Sequence, residues 1–214
     1  MDTIITLVSE YFAGPLGKVE LLATISSLIC VWLATKQNIW TWAFGAVGVI
    51  LFGYLFFQYL LYSDAILQIF FYLPIQFVGW YMWKKGAIKD GAQTVRRLSG
   101  WSAALITLGT VTATVLTGHV MATYTDASFP YADALTTWMS ITAQLLMLKK
   151  YIENWAVWVS MDAIAIFIYA AKGLVVTSGL YVIFFFLAAW GGYLWLQQYR
   201  KQVDTVAAKE VLYA

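Results

Sequence analysis

Only one cysteine, Cys30, and one histidine, His119, occur among 214 residues. A single thiol excludes an internal disulfide and a dithiol centre. With a single imidazole it leaves little for a histidine–cysteine metal site. Charge is as scarce. Asp, Glu, Lys and Arg make up 11% of the chain, where a soluble domain carries about a quarter. That deficit excludes a soluble globular protein. A net charge of +2 is too small to imply a nucleic-acid partner. There is no phosphate loop, no nucleophile–base pairing and no metal-ligand spacing, which argues against an enzyme and against a cofactor. The first twenty residues carry Asp2 and Glu10 and lack the basic start of a cleavable signal.

What is present is apolar sequence in long runs. A membrane helix needs about 20 mostly apolar residues. Seven segments qualify: Val19–Thr35, Ile39–Leu61, Ala65–Trp83, Trp101–Met121, Ala132–Leu148, Trp155–Ala171 and Val176–Leu196. Ahead of them Ile4, Ile5, Val8, Tyr11 and Phe12 fall on one face of a short interfacial helix ending near Gly14-Pro15. The predicted fold is an all-α integral membrane protein with seven spans.

Lys and Arg set the orientation, because positive loops stay in the cytoplasm. Lys84, Lys85, Lys89, Arg96 and Arg97 follow the third span, Lys149 and Lys150 the fifth, and Arg200, Lys201 and Lys209 the seventh. With seven spans all three clusters share a side, and Lys36 joins them. The N-terminus is then outside and the C-terminus cytoplasmic. Asp64, His119, Asp126 and Lys172 fall on the outer side.

Inside the sixth span sits an aspartate. Asn154, Trp158 and Asp162 are spaced i, i+4, i+8 and share one helix face. A carboxylate at membrane depth costs about 3 kcal/mol, so it belongs in a bundle interior or a wet cavity. On the third span Tyr72, Gln76, Trp80 and Trp83 form a second one-face stripe, interrupted by Pro74. The proline frees the carbonyl of Phe70 and makes a bend there a plausible gate hinge. Trp80, Trp158 and Trp190 offer flat walls that stack planar rings and attract cations. The bland reading of each stands beside this one: amides tie helices together, and most tryptophans belong to interface belts or packing.

The chain also reads as duplicated. Asn38 and Trp42 open span two with the spacing that Asn154 and Trp158 show at span six. Gly79-Trp80-Tyr81-Met82-Trp83 and Gly191-Gly192-Tyr193-Leu194-Trp195 share G-x-Y-x-W. Three spans, a linker span and three more give two parallel repeats, an arrangement that places cargo between halves near the midplane. Matched positions differ in polarity: Ala46 faces Asp162 in the alignment, and Gln76 and Trp80 face Ala188 and Gly192. The boundaries are 1–17 for the interfacial segment, 18–85 for the first repeat and 86–128 for the loop and linker helix. The second repeat is 129–198 and the tail 199–214.

The runs LYSDAILQIFFYLPIQFVGWYMWKKG, KKYIENWAVWVSMDAIAIFIYAAKGL and LYVIFFFLAAWGGYLW resemble the PnuC family of nicotinamide riboside transporters, with likeness from about Val19 to Trp195. The resemblance implies a SWEET-like 3+1+3 fold and a homotrimer in the bacterial inner membrane. It implies facilitated diffusion of the riboside, trapped inside by a cytoplasmic ribosylnicotinamide kinase. The family has relatives for thiamine, riboflavin and deoxynucleosides, so thiamine is the competing cargo and proton coupling the competing mechanism. The expected substrate-binding residues are Gln76, Trp80, Tyr72, Asn154, Trp158, Asp162, Trp190, Asn38 and Trp42. The expected partners are the riboside and membrane lipid.

Overall fold

The computed structural model describes residues 14–59, 62–90, 94–125, 129–171 and 175–213. The expected interfacial helix, Asp126 and Lys172 lie outside the described residues. The chain divides into two compact units, Met1–Gly91 and Ala92–Ala214. The first holds α1 (Pro15–Thr35), α2 (Trp40–Gln58), α3 (Tyr62–Leu67), a π-helical turn (Gln68–Tyr72) and α4 (Leu73–Asp90). The second holds α5 (Gly100–Tyr124), α6 (Pro130–Leu148), α7 (Glu153–Ala171) and α8 (Val175–Tyr213). Among the described residues the β-type pairing is a single bridge, Arg96 to Tyr151.

Six helical stretches are long and apolar enough to cross a membrane: Pro15–Thr35, Trp40–Gln58, Ala65–Gly86, Gly100–Tyr124, Glu153–Ala171 and Thr177–Thr205. α6 has the length but is more polar, with Asp133, four Ser and Thr residues and Gln144. Its hydroxyls do not need water. Thr137 donates to the Asp133 carbonyl at 2.9 Å, Ser140 to that of Thr137 at 2.8 Å, and Thr142 pairs with Thr110 of α5 at 2.8 Å. Trp138 Nε1 donates to Thr117 Oγ1 at 3.0 Å, and Gly118 leaves room for the Tyr131 ring. The threonine-rich α5 is thus bonded to α6 by interhelical hydroxyl contacts.

Helix starts follow ordinary capping chemistry. Pro15 and Pro130 stand in first turns, where a missing N–H costs nothing. Ser99 Oγ accepts from Ser102 N at 3.2 Å. Two ends differ from the sequence reading. α4 runs past Trp83 to Asp90, and α8 continues through the segment read as a tail to Tyr213. Residues 197–213 contain neither glycine nor proline, so nothing stops the helix where its apolar run ends.

Pro74 sits directly after the π turn, in which Leu73 N donates to Gln68 O. The chain widens by one residue where a proline cannot donate, a device often found at functional sites. Gly53 permits the close approach: a Cβ there would lie 2.9 Å from Ile69 Cδ1.

Two interhelical turns are built alike. After α1, Asn38 N donates to Leu33 O and Gln37 N to Ala34 O, both at 3.0 Å; after α6, Tyr151 N donates to Leu146 O at 3.1 Å and Lys150 N to Met147 O at 3.0 Å. Both are Schellman closures. The left-handed position is held by Gln37 (φ 53°) in one and Lys150 (φ 57°) in the other, neither a glycine. This corrects the expected register. Asn38 corresponds to Tyr151, Thr41 to Asn154 and Trp42 to Trp155, so Trp158 matches Gly45 and Asp162 matches Val49 rather than Ala46. Similar spacing of Asn and Trp, one helical turn out, produced the other alignment.

The following helices obey the corrected register. Trp42 meets Trp83 edge-on at 5.2 Å and 87°, and Trp155 meets Trp195 at 5.6 Å and 83°. A Cβ on Gly79 would run into the Trp42 ring, and one on Gly191 would come within 2.6 Å of Trp155. All four indoles are 2% exposed or less. Each unit therefore closes on a Trp–Gly–Trp clasp, which is what the two G-x-Y-x-W motifs encode.

Candidate functional site

In the first unit the expected residues separate into two groups. Asn38 stands just ahead of α2, its Oδ1 accepting from Trp40 N at 3.0 Å. Trp42 is buried in the clasp. Both build the fold. Gln76 is different: it is 6% exposed, and its carboxamide lies against Gly45 of α2 beside Cys30 of α1. Thr41 Oγ1 donates to the Cys30 carbonyl at 2.8 Å and stands 3.4 Å from its sulfur, tying α1 to α2 under the amide. The Gln76 amide makes no hydrogen bond among the described residues. One turn on, Trp80 is half-buried and meets the exposed Trp40 edge-on at 5.4 Å and 84°. Tyr72 closes the π turn, edge-on to Phe71 at 5.0 Å.

In the second unit Asn154, Trp158 and Asp162 stand on one uninterrupted helix, α7. Asn154 is fully buried. Its Nδ2 donates to Tyr151 O at 2.7 Å, while its Oδ1 is buried with no partner. Trp158 is half-buried, but its Nε1 is buried and unpartnered. Asp162 is 3% exposed and has no hydrogen-bond or ion-pair partner among the described residues. Trp190, on α8, is 54% exposed and tilted against Tyr193 at 5.8 Å.

Each unmet buried polar group costs about 1–3 kcal/mol. The indole N–H groups of Trp42 and Trp155 are also unpartnered, but they recur at equivalent clasp positions in both units and belong to packing. The groups on the α7 stripe have no such twin. The positions of Asn154, Trp158 and Asp162 are Thr41, Gly45 and Val49 in the first unit. The stripe thus sets an acceptor, a donor, an indole face and a carboxylate on one helix face. Among the described residues no three His, Cys, Asp or Glu side chains gather as a metal site.

Gly45 reads from sequence as a close-packing glycine, and the structure shows which side chain uses the space, Gln76. The parts played by Trp155 and Glu153 were not legible, and Trp155 was overlooked beside Trp158. Glu153 accepts from Leu98 N at 3.2 Å, with Arg97 Nε 3.8 Å from its other oxygen. This fastens residues 94–99 to the α6–α7 turn, where Arg96 N also donates to Lys150 O at 2.9 Å and Ile152 N to Arg96 O at 3.0 Å.

A family model described as nicotinamide mononucleotide transporter matches residues 18–197. The nicotinamide riboside transporter PnuC of Escherichia coli strain K12 is 31% identical to this chain, over 87% of the chain and 88% of that protein. The riboflavin/roseoflavin transporter RibM of Streptomyces davaonensis is 25% identical, over 85% of the chain and 86% of that protein. A crystal structure of the vitamin B3 transporter PnuC superposes with a TM-score of 0.72 at 24% identity, covering 93% of this chain and 89% of that one.

Proposed function

This chain belongs to the family of PnuC nicotinamide riboside transporters, and we propose that it carries nicotinamide riboside across the bacterial inner membrane by facilitated diffusion. The observation that carries this reading is the α7 stripe: Asn154 Oδ1 and Trp158 Nε1 are buried without a partner beside the buried Asp162, and the first unit has Thr41, Gly45 and Val49 at these positions. Nicotinamide riboside has a cationic pyridinium, a carboxamide and a ribose. Indole faces at Trp80, Trp158 and Trp190 suit the ring, and Tyr72 widens that aromatic set. The amides of Gln76 and Asn154 suit the carboxamide. Asp162 suits a ribose hydroxyl or the positive charge. A cation leaving water without such partners would be costly. Asn38 and Trp42 serve by holding α2 in place.

The reading includes a seventh span. α6 crosses with its hydroxyls bonded internally, giving a SWEET-like 3+1+3 chain with N-terminus outside and C-terminus cytoplasmic. The basic clusters at Lys84, Arg96, Lys149 and Arg200 support that orientation. The protein works as a homotrimer in membrane lipid, and a cytoplasmic ribosylnicotinamide kinase traps the cargo. No second mid-span carboxylate exists for a proton relay. Purified protein in vesicles is therefore expected to move labelled nicotinamide riboside down its gradient without Na⁺ or a pH difference. Strict proton dependence would replace diffusion with coupling through Asp162. The likeness to a riboflavin transporter favours one further reading, another vitamin as cargo. Tighter calorimetric binding of thiamine or riboflavin than of the riboside would establish it.

A further inference from the structure

We propose that Gly45 is a positioning residue for substrate binding: its missing side chain lets the Gln76 carboxamide lie against α2 and fixes where that amide points. The proposal rests on the reading of Gln76 as a substrate ligand. A Cβ at Gly45 would collide with Gln76 Oε1 and come within 3.0 Å of its Cδ and 3.2 Å of Cys30 Sγ. No hydrogen bond among the described residues holds the amide, so steric confinement by α2 does.

Two other close-packed glycines of this unit behave differently. Gly79 makes room for the rigid Trp42 ring, and Gly48 brings α2 against Ser27 and the Ala23 carbonyl of α1. A side chain at those places would push on the scaffold. Gly45 meets the far end of a flexible side chain, which can swing away at little cost in stability. Its effect therefore falls on the direction of one amide rather than on the fold.

The second unit makes the same point in reverse. Gly45 comes three residues after Trp42, as Trp158 comes three after Trp155. Gln76 comes three before Gly79, as Ala188 comes three before Gly191. At matched positions the small and large residues are exchanged between the helices: Gln76 stands on α4 in the first unit and Trp158 on α7 in the second. Both large groups are expected ligands. Gly45 is the condition for the first to come from α4.

Calorimetric titration of purified protein with nicotinamide riboside tests this on G45A, Q76A and G45A/Q76A. Q76A and G45A are each expected to weaken binding roughly tenfold, the scale of one polar contact. G45A keeps a near wild-type melting temperature, and the double variant binds no more weakly than Q76A. Equal weakening by G45A in both backgrounds would make the glycine a mere packing residue and overturn the proposal. So would wild-type affinity in G45A beside a weakened Q76A. A G45A protein that fails to fold while the double variant folds would make Gln76 a rigid core group, which also overturns it. Gln76→Asn leaves the glycine untouched; its shorter amide withdraws from Gly45, and unchanged affinity there counts against the proposal. Wild-type binding by Q76A itself would remove the ligand reading first, and this inference with it.

Discussion

At the start of α2 the first unit presents Trp40, whose ring meets Trp80 edge-on; at the start of α7 the second presents Glu153, whose carboxylate fastens the 94–99 segment. The turns beneath them are built from the same hydrogen bonds, and the clasps above from the same three residue types. What recurs in both units is architecture: the Schellman turn, Trp42 or Trp155, Gly79 or Gly191, Trp83 or Trp195. What does not recur is Gly45 against Trp158, Gln76 against Ala188 and Val49 against Asp162. The two units share their packing and differ in polarity at positions that include the proposed ligands.

The sharpest test of the shared part is to empty each clasp. Trp83 and Trp195 are buried at 2% and 0% exposure. Replacing either with Ala should destabilise the protein by about 3–5 kcal/mol, the usual cost of deleting a buried indole. The two costs should agree within about 1 kcal/mol, given the factor of context that attends such deletions. Chemical unfolding in detergent micelles measures both. A variant that loses little would show that its clasp is ornamental and that the units are not built alike.

Much of this was legible because it depends on composition and period. Long apolar runs gave six of the seven expected spans, the more polar α6 falling short, and helical spacing put Asn154, Trp158 and Asp162 on one stripe. The G-x-Y-x-W motifs marked equivalent helix ends because a glycine must face a ring there. The register of α2 against α7 was not legible. Asn and Trp four apart recur in both segments, and only the backbone bonds of the preceding turns distinguish the true match from one a turn away. Gly45 was legible as a close-packing glycine, but its neighbour was not: a glycine's value lies in what that neighbour does with the space. The Glu153 fastening joins residues far apart in sequence, and no local pattern announces it. α8 outran its apolar stretch because hydropathy marks where a membrane ends, whereas helices stop for glycine, proline or a cap.

A smaller effect should separate the units. The Arg97–Glu153 pair is largely solvent-exposed on the arginine side, 65% against 27%, so the ion pair itself contributes little. The hydrogen bond from Leu98 N is partly buried and is worth about 1 kcal/mol. Glu153→Ala should therefore cost about 1 kcal/mol and speed amide hydrogen exchange at Leu98 and Arg96. Glu153→Gln keeps an acceptor and should retain most of the protection. Trp40→Ala, at the equivalent position of the first unit, should leave those amides unchanged. Equal loss of protection from Trp40→Ala would mean that Glu153 does not fasten this segment by itself.

The finest distinction lies in the two left-handed residues. Gln37→Gly should stabilise by roughly 0.5–1 kcal/mol, the strain relieved less the entropy a glycine adds. Lys150→Gly relieves the same strain and also removes a buried amine. Burial holds the Lys150 ammonium down to about 7, from 10.5. Between those values the unfolded chain keeps the proton and the folded chain releases it, so wild-type stability rises with pH across that window. Below it both states are protonated, and the full cost of the buried charge is present. The gain from Lys150→Gly should therefore exceed that from Gln37→Gly below pH 7. The excess should shrink as pH climbs toward 10.5, as the unfolded chain also releases the proton. Melting temperatures of both variants against wild type across that range measure the convergence. A constant gap would show that the Lys150 amine stays charged in the folded protein, and that the two turns differ in shape rather than in charge.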